Sequence, residues 1–132
     1  IIDTPIARSA KPPILRTTTG KIVGEFKNAT TKYKILKYYY NARGLASCII
    51  FTLIEAYPKT GRTHQIRVHF ASIGHPIVCD KLYAKKDAFC PEKLDRHFLH
   101  AYSLEFTDLD GTRLKLEAEM PEELQVTLKT LM

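Results

Sequence analysis

The sequence predicts an α+β fold, an antiparallel or mixed β-sheet with few helices, and three observations carry that expectation. Two pairs of alternating apolar and polar runs flank turn signals, at 31–57 and 96–119. Between them one stretch repeats its apolar residues at helical spacing, and behind them a proline-led segment closes the chain. At 132 residues and 45% hydrophobic content, a single domain with a core of moderate size is the natural count.

In chain order, 1–30 show little periodicity. Pro5, Pro12, Pro13 and the turn Thr17-Thr18-Thr19-Gly20 predict a strand-poor connector. It carries Arg8, Lys11, Arg16, Lys21 and Lys27, and so reads either as a basic contact for a polyanion or as a loose linker. The sheet and helices are expected in 31–132. Thr31 to Tyr40 alternates, with Tyr33, Ile35 and Lys37 on one side and Leu36, Tyr38 and Tyr40 on the other. Asn41-Ala42-Arg43-Gly44 supplies a turn, and Leu45 to Tyr57 a second, more apolar strand, which together make a hairpin. The run Tyr38-Tyr39-Tyr40 reads as strand residues with hydroxyls at the rim, or as a platform for stacking bases.

The stretch from Thr60 to Tyr83 reads TGRTHQIRVHFASIGHPIVCDKLY. Ile66, Phe70 and Ile73 fall at i, i+4 and i+7, which predicts a helix with Thr60 or Thr63 as its cap. Gly74 ends it ahead of Pro76, and His75 to Tyr83 is expected to return extended. Lys81, Lys85, Lys86 and Lys93, mixed with Asp87, Glu92 and Asp95, read as a solvated face. Arg96 to Phe106 is the next expected strand, Asp108-Leu109-Asp110-Gly111 its turn and Thr112 to Glu119 its partner. Pro121 then opens a short helix over Glu122 to Met132.

The polar residues of the central helix are the informative ones. Between Gly61 and Ile77 there is no carboxylate and no lysine, but there are Arg62, His64, Gln65, Arg67, His69 and His75. Planar donors of this kind suit phosphate, bases or a carboxylate held in fixed geometry; the alternative is a surface helix that is simply basic. Net charge points the same way. From Glu105 onward seven acids face three bases, so the rest of the chain carries +10 against an overall +6, a balance suited to a polyanion or to ordinary solubility.

Other chemistries fit less well. His64 and His69 are five apart rather than four, and no cysteine or acid completes a set with His75, so no metal site is expected. Cys48, Cys79 and Cys90 are odd in number without close pair spacing, and read as reduced thiols rather than a disulfide. There is no run of membrane-spanning length and no secretory leader pattern, which makes a cytoplasmic setting the expectation.

Thr60-Gly61-Arg62-Thr63-His64-Gln65-Ile66-Arg67-Val68-His69, continued by Gly74-His75-Pro76-Ile77 and Asp80 to Tyr83, resembles the late signature motif of the RluA-type pseudouridine synthases. Enzymes of this kind, RluA, RluC and RluD among them, isomerise uridine to pseudouridine in structured RNA. Ile2-Asp3-x-Pro5-Ile6, Ala29-x-Thr31-x-Tyr33-x-Ile35-Leu36 and Phe98-Leu99-His100-Ala101-x-x-Leu104 resemble flanking family segments in the same order. Two departures stand out. Cys79 occupies a position that is usually glycine, and the nucleophilic aspartate motif, which in the family precedes the segment matching Ile2 to Ile6, is absent.

The resemblance implies part of the pseudouridine synthase catalytic fold, a single partial domain corresponding to its C-terminal half, with 1–30 as the basic connector. The chain begins at Ile1 rather than Met, in keeping with a missing upstream half. The implied activity is isomerisation of uridine, in 23S ribosomal RNA, without metal or redox cofactor and inactive in the absence of that half. Arg67 would pair with the absent nucleophilic aspartate, an arrangement in which a nearby cation keeps a carboxylate ionised. Arg62 and His64 would lie near the RNA backbone, Gln65 would contact RNA, and Leu99 would line the uracil pocket. A non-catalytic RNA-binding module and a decaying gene fragment are the alternatives.

Overall fold

The computed structural model describes residues 1–11, 15–42, 48–92 and 94–131. In chain order its elements are β1 (Ile2–Asp3), β2 (Ile6–Ser9), β3 (Arg16–Thr17), β4 (Ile22–Lys27), β5 (Thr30–Ala42), β6 (Cys48–Pro58), α1 (Gln65–Ser72), β7 (Ser103–Thr107), β8 (Arg113–Glu117) and α2 (Glu122–Thr130). The strands form three antiparallel groups, β1-β5-β6, β3-β2-β4 and β7-β8. This is the expected α+β class.

The long hairpin β5–β6 is the backbone of the fold, running in register from Thr31 opposite Pro58 to Ala42 opposite Cys48. Its register shifts between Ile35 and Lys37, so one extra residue, Leu36, breaks the simple alternation read from the sequence. Tyr39 is consequently buried with the Lys37 ammonium 4.9 Å from its ring centre, while Tyr38 and Tyr40 are exposed. Asn41 and Ala42 belong to β5 rather than to the turn; Arg43 and Gly44, like Leu45, lie outside the described residues.

Residues 1–30 are not strand-poor. Four short strands lie there, and β2 is an inner strand whose Ile6 and Ala7 are buried. These strands are two to six residues long, too short for alternation to register, and Gly20 at φ 84° turns the chain from β3 toward β4. Pro12 and Pro13 lie outside the described residues.

Helix α1 is shorter than its apolar spacing suggests. Neither Thr60 nor Thr63 caps it; the residue ahead of it, His64, is left-handed at φ 56° and gives no side-chain cap. The buried face is Gln65, Val68, His69 and Phe70, whereas Ile73 is exposed. The polar residues face inward because β5 and the link between β1 and β2 supply their partners: His69 Nδ1 lies 2.8 Å from Thr31 Oγ1 and its Nε2 2.9 Å from the Thr4 carbonyl. Phe70 meets Tyr33 edge-on at 5.2 Å. Gly74, at φ 80°, ends the helix as expected, and the His75 amide donates back to the Phe70 carbonyl at 2.9 Å.

Beyond α1 two expectations fail. The segment from His75 to Tyr83 forms turns rather than a strand, because Cys79 takes φ 59° and the Asp80 amide folds back to the Ile77 carbonyl at 3.1 Å. Cys79 and Cys90 are joined as a disulfide with Cα atoms 5.0 Å apart, not kept as separate thiols. A tight loop brings together two residues whose sequence separation of 11 gave no pair signal.

Strand β7 begins later than expected, since the Arg96 guanidinium donates to the Leu99 carbonyl at 2.8 Å and holds 96–99 in a turn. The Asp108–Gly111 turn and α2 behind Pro121 form as predicted, with Met132 outside the described residues. Two small cores hold the pieces together. Ile6, Ala29 and Val68 pack with Tyr83, and Cys79, Leu94 and Leu124 pack with Val78, Phe98 and Met120. Among the described residues no helix is long and apolar enough to cross a membrane.

Candidate nucleic-acid and active-site groove

The end of β6, the loop into α1 and the first turn of α1 form one wall of an open groove of about 250 Å³. It is lined by Pro58, Thr60, Gly61, Arg62, His64, Gln65, Ile66 and Arg67, with Leu99 contributed from a distant part of the chain. All five residues singled out from the sequence, Arg62, His64, Gln65, Arg67 and Leu99, therefore meet around one space. The left-handed turn at His64 is what does this, since it lets the Gly61–Thr63 loop and the helix share one rim.

Each residue is held differently. Gln65 is nearly sealed from solvent, and its amide is fully occupied. Its Nε2 donates to the Thr30 carbonyl at 3.0 Å and Thr31 Oγ1 at 3.1 Å, and its Oε1 accepts from Thr60 Oγ1 at 2.6 Å and the Arg62 amide at 3.0 Å. It shapes the loop and has no donor left for RNA, which replaces the direct contact expected from the sequence. Arg62 is exposed at the rim, with Nε donating to the Asn28 carbonyl at 3.2 Å.

Arg67 carries the main surprise. Its Nε donates to Asp80 Oδ2 at 2.8 Å and its Nη2 to Asp80 Oδ1 at 2.7 Å, a bidentate pair in which the arginine side chain is 13% exposed and the aspartate 0%. The expectation that this cation waits for a carboxylate from elsewhere needs correcting: an acid of the same chain already holds one edge of it. Among the described residues Nη1 donates to none, and Arg67 still borders the groove. The guanidinium carbon lies over the Tyr83 ring, 5.2 Å from its centroid.

Asp80 is the residue that sequence reasoning passed over. Its position in Asp80 to Tyr83 of the motif was the available signal, but its partner stands 13 residues back. Burial, the largest single influence, pushes the Asp80 carboxyl up. The Arg67 hydrogen bond, the Leu82 and Tyr83 amides and the Arg67 charge together outweigh it and hold the group below the usual carboxylate range. Arg67 is raised in turn, chiefly by the Asp80 bond.

His64 completes the network. Burial first, then the Arg67 charge, pushes its ring below the ordinary histidine pKa, so the neutral form is favoured. The Tyr83 hydroxyl accepts from the Arg16 amide at 3.0 Å and shares a hydrogen bond with His64 Nδ1, also at 3.0 Å. The groove thus offers an exposed arginine, a neutral imidazole, a braced guanidinium and one apolar wall, a set suited to a phosphate and a flat polar ring. Among the described residues no His, Cys, Asp or Glu cluster able to hold a metal is assembled.

Comparison with known proteins agrees with this reading of the fold. Residues 2–72 match the model of the family described as RNA pseudouridylate synthase. The ribosomal large subunit pseudouridine synthase C of Buchnera aphidicola is 36% identical over 94% of this chain and 40% of its own length. An uncharacterized RNA pseudouridine synthase of Aquifex aeolicus is 40% identical over 92% of the chain and 37% of its own. The human RNA pseudouridylate synthase domain containing 1 superposes with a TM-score of 0.71 at 24% identity, over 91% of this chain and 47% of that one. The chain therefore spans about two-fifths of the length of the relatives it matches, and it belongs to the RNA pseudouridylate synthase family.

Proposed function

We propose that this chain is the C-terminal part of the catalytic domain of a pseudouridine synthase that acts on large-subunit ribosomal RNA, 23S RNA in a bacterial setting, in the cytoplasm. The observation that carries the reading is the convergence of Arg62, His64, Arg67 and Leu99 on one groove in a chain of this family. In the reaction the N-glycosidic bond of uridine is broken, the uracil rotates, and a carbon–carbon bond to the ribose replaces it. A carboxylate nucleophile from outside this stretch performs the attack on an extruded nucleotide.

The residues present position that event. Asp80 fixes the Nε/Nη2 edge of Arg67 and thereby aims the remaining edge, with Nη1, at the incoming carboxylate, so that its ionised form and its direction are set together. Arg62 and His64 hold the RNA backbone, and Leu99 packs on the uracil. The chemistry requires neither a metal nor a redox cofactor.

The rest of the catalytic domain is the partner that the surface calls for. The chain exposes 9655 Å², whereas a compact monomer of its mass exposes about 7,100 Å². Leu104 and Leu116 on the isolated hairpin β7–β8 are 59% and 55% exposed, and Leu36, Tyr38, Tyr40 and Ile50 stand out of the hairpin β5–β6. Two-stranded sheets are marginal alone, so an apolar cover is expected. In this reading 1–132 is one partial domain.

The test is reconstitution. The chain alone should form no pseudouridine on 23S transcripts, and addition of a well-folded upstream half carrying the nucleophile should restore it. Activity of the chain alone, or no rescue, refutes the reading. A binding module without catalysis is favoured by one observation, the closure of Arg67 on Asp80, and predicts RNA affinity that falls steeply with salt while rescue fails.

A further inference from the structure

We propose that Cys79 and Cys90 form a reversible thiol–disulfide site that sets how firmly Asp80 grips Arg67. The bond closes a ring over 79–90, and everything that holds Arg67 from its carboxylate side lies inside that ring. Asp80 follows Cys79 directly; its Oδ1 accepts from the Leu82 and Tyr83 amides at 3.0 and 3.2 Å, and the Tyr83 ring lies under the guanidinium carbon while its hydroxyl accepts from the Arg16 amide. Cys79 is left-handed at φ 59°, a conformation that disfavours a side chain and that the ring closure helps to hold.

The two sulfurs are placed unequally. Cys79 is buried against Leu94 and Leu124, whereas Cys90 is the more exposed residue of the two. The Cys90 sulfur lies 3.5 Å from the Leu94 carbonyl. As a disulfide it has no proton to donate there, but as a thiol it does, so the reduced form finds an acceptor in place.

Opening proceeds with the thiolate of reduced glutathione attacking the sulfur of Cys90, the more exposed residue of the pair. The Cys79–Cys90 bond breaks, Cys79 departs as thiolate and takes a proton from water, and a mixed disulfide remains on Cys90. A second glutathione thiolate attacks the glutathione sulfur of that mixed disulfide, releasing Cys90 as thiolate and glutathione disulfide as the oxidised product. The two electrons that reduce the protein come from the two glutathione thiols, and glutathione disulfide reverses the sequence.

The experiment needs no RNA, so its outcome is separable from that of the reading above. A Cys48→Ser chain is equilibrated across glutathione redox buffers, the thiol state is read by alkylation and mass, and amide hydrogen exchange is followed at Leu82 and Tyr83. Exchange at these two amides should rise by roughly one to two orders of magnitude on reduction, the scale on which closing a loop of this length restrains local opening. Adding Cys90→Ser should reproduce the reduced rates and abolish the response to buffer. A pair that stays reduced under glutathione disulfide overturns the proposal, as do equal exchange rates in both states. The redox titration of the Cys48→Ser chain decides the matter even if the second substitution disturbs folding.

Discussion

Replacing Asp80 by Asn tests the grip on Arg67 directly. The carboxylate is 0% exposed and the guanidinium 13%, so the pair sits where loss of one partner strands a charge away from water and costs about 3–5 kcal/mol. Asn keeps one oxygen for the Leu82 and Tyr83 amides, but turns an N–H toward the Arg67 Nε where Oδ2 stood 2.8 Å away. Retention of part of the network places the expected loss near the lower bound, about 3 kcal/mol. With a urea slope of about 1–2 kcal/mol/M, the midpoint falls by about 2 M or the chain is unfolded outright. Arg67→Met should cost a comparable amount, and the double variant about 2 kcal/mol less than the sum of the singles. The pH arm follows from the depressed carboxyl. A folded-state pKa below the unfolded value adds stability above the unfolded value and loses it as pH falls through the folded one. The deficit of Asp80→Asn against wild type should thus be constant from about pH 5 to 8 and shrink below about pH 4. A single-variant loss under about 1 kcal/mol, or additive losses, would refute the account of Asp80 as the brace.

Three further outcomes are expected. His69→Ala removes a fully buried ring bonded to Thr31 and Thr4, and should lower stability by about 2–4 kcal/mol in the same urea assay. Leu124→Ala, at 0% exposure in the second core, should lower it by about 2–5 kcal/mol, while Leu109→Ser, fully exposed in the β7–β8 turn, should change it by less than about 0.5 kcal/mol. Arg62→Gln should leave the unfolding midpoint in place but weaken binding to 23S transcripts and reduce the log–log salt slope by about 1, as measured by filter retention across a salt series.

How far the sequence could be read depended on how local the determining contacts are. The hairpin β5–β6 was legible because thirteen and eleven residues of alternating character pair with their immediate successor, and Gly74 because a left-handed helix stop is a property of one residue. The bulge at Leu36 was not, since twisting a long hairpin requires it but no residue type announces it. The helix face was misjudged for a related reason. Apolar spacing put Ile66, Phe70 and Ile73 inside; Phe70 is buried, but Gln65 and His69 are buried beside it while Ile73 is exposed, because Thr4, Thr30, Thr31, Thr60 and the Arg62 amide together satisfy every side-chain polar atom that burial would otherwise penalise. Periodicity counts apolar residues and cannot register a polar contact that a neighbouring strand makes good.

The candidate site divides along the same line. Its composition was visible, because a run free of carboxylates and lysines selects for planar donors wherever the fold puts them. Its electrostatics were not, since Arg67 was read against an acid outside the chain while Asp80 lay unrecognised beyond the helix stop. The difference changes what the arginine is for. A lone guanidinium beside an open groove would sample several rotamers and meet an incoming carboxylate as a mobile charge. One edge locked by a bidentate partner, with the guanidinium carbon held over the Tyr83 ring, restricts the remaining donors, so the ordering entropy is spent in folding rather than at the moment of binding. In the function proposed above, Asp80 would then not compete with a catalytic carboxylate but would orient the arginine that receives it.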